Sequence, residues 1–91
     1  MKYVKRYLKS KNLSSATKRK IFEYPELDDY ERTVLIETYV KGEKVEHTCG
    51  LISVGKTKYY DILKSALLKI RYKIKEMDKI FELNESYLLK E

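Results

Sequence analysis

The sequence predicts a small all-α domain that carries a helix-turn-helix and ends in a long C-terminal helix. Three observations predict it. With three Gly and one Pro in 91 residues, the chain has too few turn formers for the hairpins of a sandwich or barrel. Lys, Glu and Leu favour helix, and no Gly or Pro interrupts the sequence from Lys56 to its end. Apolar residues recur at helical rather than alternating spacing. This length makes one domain with a small core, and a hydrophobic content of 43% argues against disorder throughout.

Tyr3, Val4, Tyr7 and Leu8 recur at helical spacing with bases between them, which predicts a short amphipathic helix over 2–10. Asn12 to Ser15 read as a break, and Ser14 or Ser15 caps a second helix over 15–23 that Pro25 stops. Residues 1–25 are thus a basic N-terminal helical pair. Asp28 and Asp29 bring negative charge to the first turn of a third helix, 28–41, whose Leu27, Val34, Leu35 and Tyr39 share one side until Gly42 ends it. A short segment, 44–52, and a turn around Ser53, Val54 and Gly55 follow. From Lys56 the helical period sets Tyr59, Ile62, Leu63, Ala66, Leu67 and Ile70 on one side, and Thr57, Lys58, Asp61, Lys64 and Ser65 on the other. A short helix, a tight turn and a longer helix make residues 27–72 a helix-turn-helix region, with 73–91 a helical extension.

A helix-turn-helix has residue requirements because its two helices cross closely. The first helix needs a small side chain at the crossing, and Cys49 is small and tolerates burial. The turn needs a residue that accepts unusual backbone angles or caps the next helix, which Ser53 or Gly55 supplies. Val54, between them, plugs the turn into the core. Lys56, Thr57, Lys58, Tyr60 and Lys64 then stand near the start of the second helix as donors for a DNA groove.

Net charge is +6 but unevenly spread: residues 1–22 carry +8, 23–47 carry −5, 48–75 carry +6 and 76–91 carry −3. Two basic segments around an acidic one give the footprint of a polyanion binder if the fold gathers the bases on one face. The alternative is pairing between the blocks across the fold.

Residues 27–42 carry Leu27, Glu31, Arg32, Val34, Leu35, Tyr39 and Gly42. In this spacing they resemble the helix that precedes the helix-turn-helix in the fourth conserved region of bacterial sigma factors. Continued without a gap, the register sets Cys49 on that family's small Ala, Val54 on its turn Ile and Gly55 on its capping Ser. It sets Ala66, Leu67, Lys69 and Arg71 on the stretch closing the recognition helix. The run Val54 to Tyr60, with Ala66 and Leu67 behind it, is more similar still to the ArpU, RinA and LtrC-type late transcriptional regulators of phages. Two residues depart from the pattern: Thr48 stands where the family buries an aliphatic side chain, and Ser53 replaces the turn Gly. The resemblance covers 27–71 and implies a sigma-like helix-turn-helix regulator that binds double-stranded phage promoter DNA and activates late genes, with RNA polymerase as a further partner.

On that reading the helix beginning near Lys56 enters the major groove N-terminus first. Lys56 and Lys58 contact phosphates, whereas Thr57, Tyr60 and Asp61 are placed to discriminate bases, with Lys64 reaching either. Asp61 would accept from a cytosine amino group or be repelled by the backbone. Lys2, Lys5, Arg6, Lys9 and Lys11 would follow an adjacent phosphate track.

From Leu63 a four-three spacing runs through Leu67, Ile70, Ile74, Met77, Phe81, Asn84 and Leu88. A helix continuous from Lys56 to Leu83 would be about 42 Å long, too long for this core to cover. Ile74, Met77, Phe81 and Leu88 therefore predict packing on the N-terminal helices or a homodimer seam, with the dimer favoured by DNA half-site spacing. Leu68 and Tyr72 fall beside this stripe.

One Cys excludes an internal disulfide framework and fits a reducing cytoplasm, and no apolar stretch suggests secretion or a membrane. His47 and Cys49, two residues apart, point to different helix faces and read as packing residues, not as a metal pair or a nucleophile with its base. No metal, cofactor or enzymatic activity is expected. Two other functions stand beside regulation: a small terminase-like subunit of DNA packaging, and an interaction module that captures RNA polymerase or another factor without binding DNA.

Overall fold

A computed structural model describes residues 2–10 and 13–77, with the side chains of Lys2 and Met77 excepted. Its elements are α1 Lys2–Lys9, α2 Ser15–Ile21, α3 Asp29–Leu35 running on into a π-helical turn Ile36–Val40, α4 Val45–Ile52 and α5 Lys56–Met77. The described residues contain no strand, so the all-α class with a long C-terminal helix stands as the helical periodicity predicts. The third helix differs from expectation in changing its winding at Ile36.

Local chemistry sets the helix starts. Ser14 accepts the Thr17 amide at 3.1 Å and caps α2. Asp28 and Glu31 form a capping box: the Glu31 amide donates to Asp28 Oδ1 at 2.8 Å, and the Asp28 amide donates to Glu31 Oε1 at 2.9 Å. At the other end, the Lys41 amide reaches back five residues to the Ile36 carbonyl, which defines the π turn. Gly42, at φ +67°, then closes the element, and the Glu43 amide donates to the Glu37 carbonyl at 2.8 Å. Lys18 Nζ donates to the Tyr39 carbonyl at 3.0 Å, satisfying a carbonyl that this helix end leaves without an amide.

One core joins all the helices. Val4 and Leu8 of α1, Ile21 and Phe22 at the end of α2, Val34 and Leu35 of α3, and Tyr59, Leu63, Ala66, Leu67, Ile70 and Ile74 of α5 are all buried in it. α3 packs most extensively on α5, while α1 and α2 fold back over it. Arg32 holds the connection between α2 and α3, donating through Nε to the Phe22 carbonyl at 2.9 Å and through Nη2 to those of Leu27 and Tyr24 at 3.2 and 3.3 Å.

Leu63, Leu67, Ile70 and Ile74 of the four-three stripe are therefore covered within the chain. Ile74, expected at the start of a dimer seam, is 0% exposed within its own chain. α1 and α2 lie against α5, so that side chain has no surface to offer a second subunit. Of the other seam positions, the side chain of Met77 and all of Phe81 and Leu88 lie outside the described residues.

Candidate nucleic-acid interface

Two crossed helices need a small, well-filled contact, and here α4 packs on α5 and buries Thr48 and Cys49. Thr48 is accommodated where the sigma pattern has an aliphatic side chain because its Oγ1 turns back towards the Lys44 carbonyl, 3.5 Å away. In the turn, Ser53 takes the left-handed conformation (φ 57°, ψ 48°), and the Ser53 and Val54 amides both donate to the Cys49 carbonyl. Val54 is half-buried against the core, and the Gly55 carbonyl accepts the Tyr59 amide, which makes Gly55 the residue that starts α5. The left-handed angle thus falls on Ser53, while Gly55 takes the capping position. A side chain held left-handed is strained, so Ser53→Gly should stabilise the domain by about 1 kcal/mol and raise Tm by roughly 5 °C in a thermal melt. An unchanged or lower Tm would mean that the turn stores no strain.

The expected groove-facing residues, Lys56, Thr57, Lys58, Tyr60, Asp61 and Lys64, are all exposed. Buried Tyr59 donates to or accepts from Thr38 Oγ1 through its hydroxyl at 2.8 Å. Its ring meets that of Tyr60 edge to face, with centroids 5.1 Å apart, so a fixed core tyrosine steadies an exposed one. Lys56 Nζ lies 3.3 Å from Glu46 Oε1 on α4. The backbone amide of Glu46 and then Lys56 hold the Glu46 carboxyl below its ordinary value. Both side chains remain about two-thirds exposed, so solvent screens this pair and a phosphate can compete for the lysine.

Along the first half of α5, grooves on its two flanks differ in charge. On the α1 side Lys5 and Lys64 line a shallow groove floored by Leu63 and Leu67. On the α3 side Lys58 shares its groove with Asp28, Glu31, Asp61, Ile62 and Ser65. Lys5 and Lys64 are thus brought together across two helices, whereas Lys58 stands among acids that repel a phosphate. Arg6 and Lys9 are exposed on α1. Of the remaining expected phosphate contacts, the side chain of Lys2 and all of Lys11 lie outside the described residues.

Further along α5, Leu68 and Tyr72 stand exposed one and two turns beyond Lys64, among the charged Lys69, Arg71, Lys73 and Lys75.

Two features carry no signal in the local spacing of residues. Glu31 is only 3% exposed, and besides capping α3 it accepts from Ser65 Oγ and Lys69 Nζ of α5, each at 2.7 Å. Its spacing from Asp28 signals the cap, but nothing local signals the bonds to α5. His47 also departs from expectation, because its side chain is 53% exposed and not packed in the core. It points towards Glu37, which the π turn and the Gly42 turn bring back beside α4. Among the described residues no helix is long and apolar enough to cross a membrane. Comparisons with protein-family models, curated proteins and solved structures find no match.

Proposed function

We propose that the protein is a sequence-specific DNA-binding regulator of transcription that inserts the first turns of α5 into the major groove. The observation that carries this reading is the pairing of Lys5 and Lys64 along one groove, on the flank of a helix whose Thr57, Tyr60 and Asp61 are exposed. Lysines on two elements bordering one helix suit a duplex, whose phosphate rows border the groove that a recognition helix occupies. Lys64 and Lys5 hold one phosphate row, with Arg6 and Lys9 extending the basic surface along α1. Lys56 exchanges Glu46 for a phosphate at the start of α5, where Gly55 brings no side chain to compete for the first amides. Thr57, Tyr60 and Asp61 then face base edges, Asp61 as an acceptor for a cytosine amino group.

The similarity of Val54 to Tyr60, Ala66 and Leu67 to phage late regulators supports an activator of late genes acting with RNA polymerase. Burial of Ile74 removes the first residue of the expected seam, so a homodimer on paired half-sites would form without it.

Selection of bound fragments from the source genome, followed by anisotropy titration of a selected and a scrambled duplex at several salt concentrations, tests the reading. The selected duplex should bind at least about a thousandfold tighter. About five or six phosphate contacts should give a slope of log affinity against log salt near −5. Equal affinity for both duplexes with a flat salt response would sink it.

A further inference from the structure

Glu37 has no role in the DNA reading, yet its surroundings are unusual. It is buried in the π turn at 5% exposure, although a carboxylate without full compensation is costly there. Lys41 Nζ donates to Oε1 at 3.1 Å, but Oε2 is buried with no hydrogen-bond partner. That orphaned oxygen faces His47 Nε2 at 3.9 Å, beyond hydrogen-bonding distance. The backbone fixes a third group in the same place. Gly42 reverses the chain in its left-handed conformation, and the Glu43 amide bonds to the Glu37 carbonyl, so that the two glutamates stand side by side. One donor atom from each of Glu37, Glu43 and His47 lies within 4.8 Å of the others.

We propose that Glu37, Glu43 and His47 form a binding site for a first-row divalent transition ion, with Zn²⁺ the best match. Two carboxylate oxygens and one imidazole nitrogen suit zinc, and the nitrogen disfavours Mg²⁺ and Ca²⁺, which take oxygen ligands. Tetrahedral zinc with ligands near 2.1 Å needs donors about 3.4 Å apart. Glu37 and His47 are close to that already, and the exposed Glu43 and His47 side chains have freedom to close the remainder. Their exposure also leaves an entry path and room for a water as fourth ligand. Lys41, on the other carboxylate oxygen, keeps Oε2 turned towards the site. Its positive charge opposes the ion, and as a half-exposed side chain it has room to withdraw. A bound ion would tie the π turn to the first turn of α4, the helix on which the turn before α5 rests. The site is independent of whether α5 binds DNA.

Titration of tag-free full-length protein with Zn²⁺, against a competing chromophoric chelator, tests this. One ion should bind per chain, and Zn²⁺ should raise Tm while Mg²⁺ leaves it unchanged. His47→Ala and Glu43→Gln change exposed side chains, so both variants should fold, and each should weaken binding at least tenfold. Glu46→Gln, beside the site but outside it, should bind as wild type does. Glu37→Gln should abolish the zinc-dependent Tm shift, read against its own metal-free Tm. Absence of stoichiometric binding to wild type, an equal response to Mg²⁺, or undiminished affinity in both His47→Ala and Glu43→Gln would overturn the proposal.

Discussion

Lys5→Glu combined with Lys64→Glu should lower affinity for the selected duplex on the order of a hundredfold at about 0.1 M salt. The slope of log affinity against log salt should become shallower by about two, because each lysine neutralises one phosphate. Both side chains are exposed and border the same groove, so reversing them inverts the local potential without touching the core. Circular dichroism and Tm should match wild type. Lys58→Glu makes the informative comparison, because Lys58 already stands beside Asp28, Glu31 and Asp61 and contributes little net attraction to a phosphate. The affinity of that variant should fall about threefold or less, with a nearly unchanged slope. If Lys58→Glu proved as damaging as the double variant, the DNA would lie on the α3 flank. If neither variant altered binding, α5 would not be the recognition helix.

The contrast between these lysines marks how far the sequence reaches. Periodicity places Lys56, Thr57, Lys58, Tyr60, Asp61 and Lys64 outside the core, because burial of Tyr59, Leu63, Ala66 and Leu67 fixes the rotation of α5 and so exposes its other side. It does not say which helix lies on each flank. Lys5 beside Lys64, and Asp28 beside Lys58, depend on how α1 and α3 dock, and docking is written in no local spacing. The same division separates the caps from the tertiary bonds. Ser14 with Thr17 and Asp28 with Glu31 act over three residues and are legible. Glu31 meets Ser65 and Lys69 across 34 and 38 residues, where no pattern announces them.

Ile74 illustrates a different limit. A four-three stripe states that a helix needs a partner along one seam, and it reads identically whether that partner is another subunit or the chain's own N-terminal helices. Among the described residues the stripe is buried as far as Ile74, with α1 and α2 packed against α5. Spacing along the helix says only that His47 and Cys49 point to different faces, whereas the partner of His47 in space is Glu37, reached around the left-handed Gly42. The π turn itself has no sequence signature, since Ile36 to Val40 would also suit an ordinary α-helix. Ser53 likewise adopts an angle more natural to the glycine that the sigma pattern has there.

Glu31→Ala should cost about 3 kcal/mol, lowering Tm by roughly 15 °C. The change removes half of the capping box, worth about 1 kcal/mol, together with the bonds from Ser65 and Lys69 that join α3 to α5. Glu31→Gln keeps the side-chain shape and one acceptor, and should cost about half as much. Acid distinguishes charge from shape. Burial pushes the Glu31 carboxyl upwards, but the Asp28 amide, Lys69 and Ser65 together hold it below its ordinary value of 4.5. A carboxyl lower in the folded than in the unfolded chain stabilises fully above its unfolded value, and that contribution is lost as pH falls through the folded one. The Tm difference between wild type and Glu31→Gln should therefore hold steady from about pH 8 to 5.5 and shrink below about pH 4.5. Lys69, raised by its bond to Glu31, adds the opposite limb: its contribution is present below its ordinary value of 10.5 and lost above it. A Tm gap that stayed constant into acid would assign the role of Glu31 to packing, and the join between α3 and α5 would then rest on Val34, Leu35 and the apolar side of α5 alone.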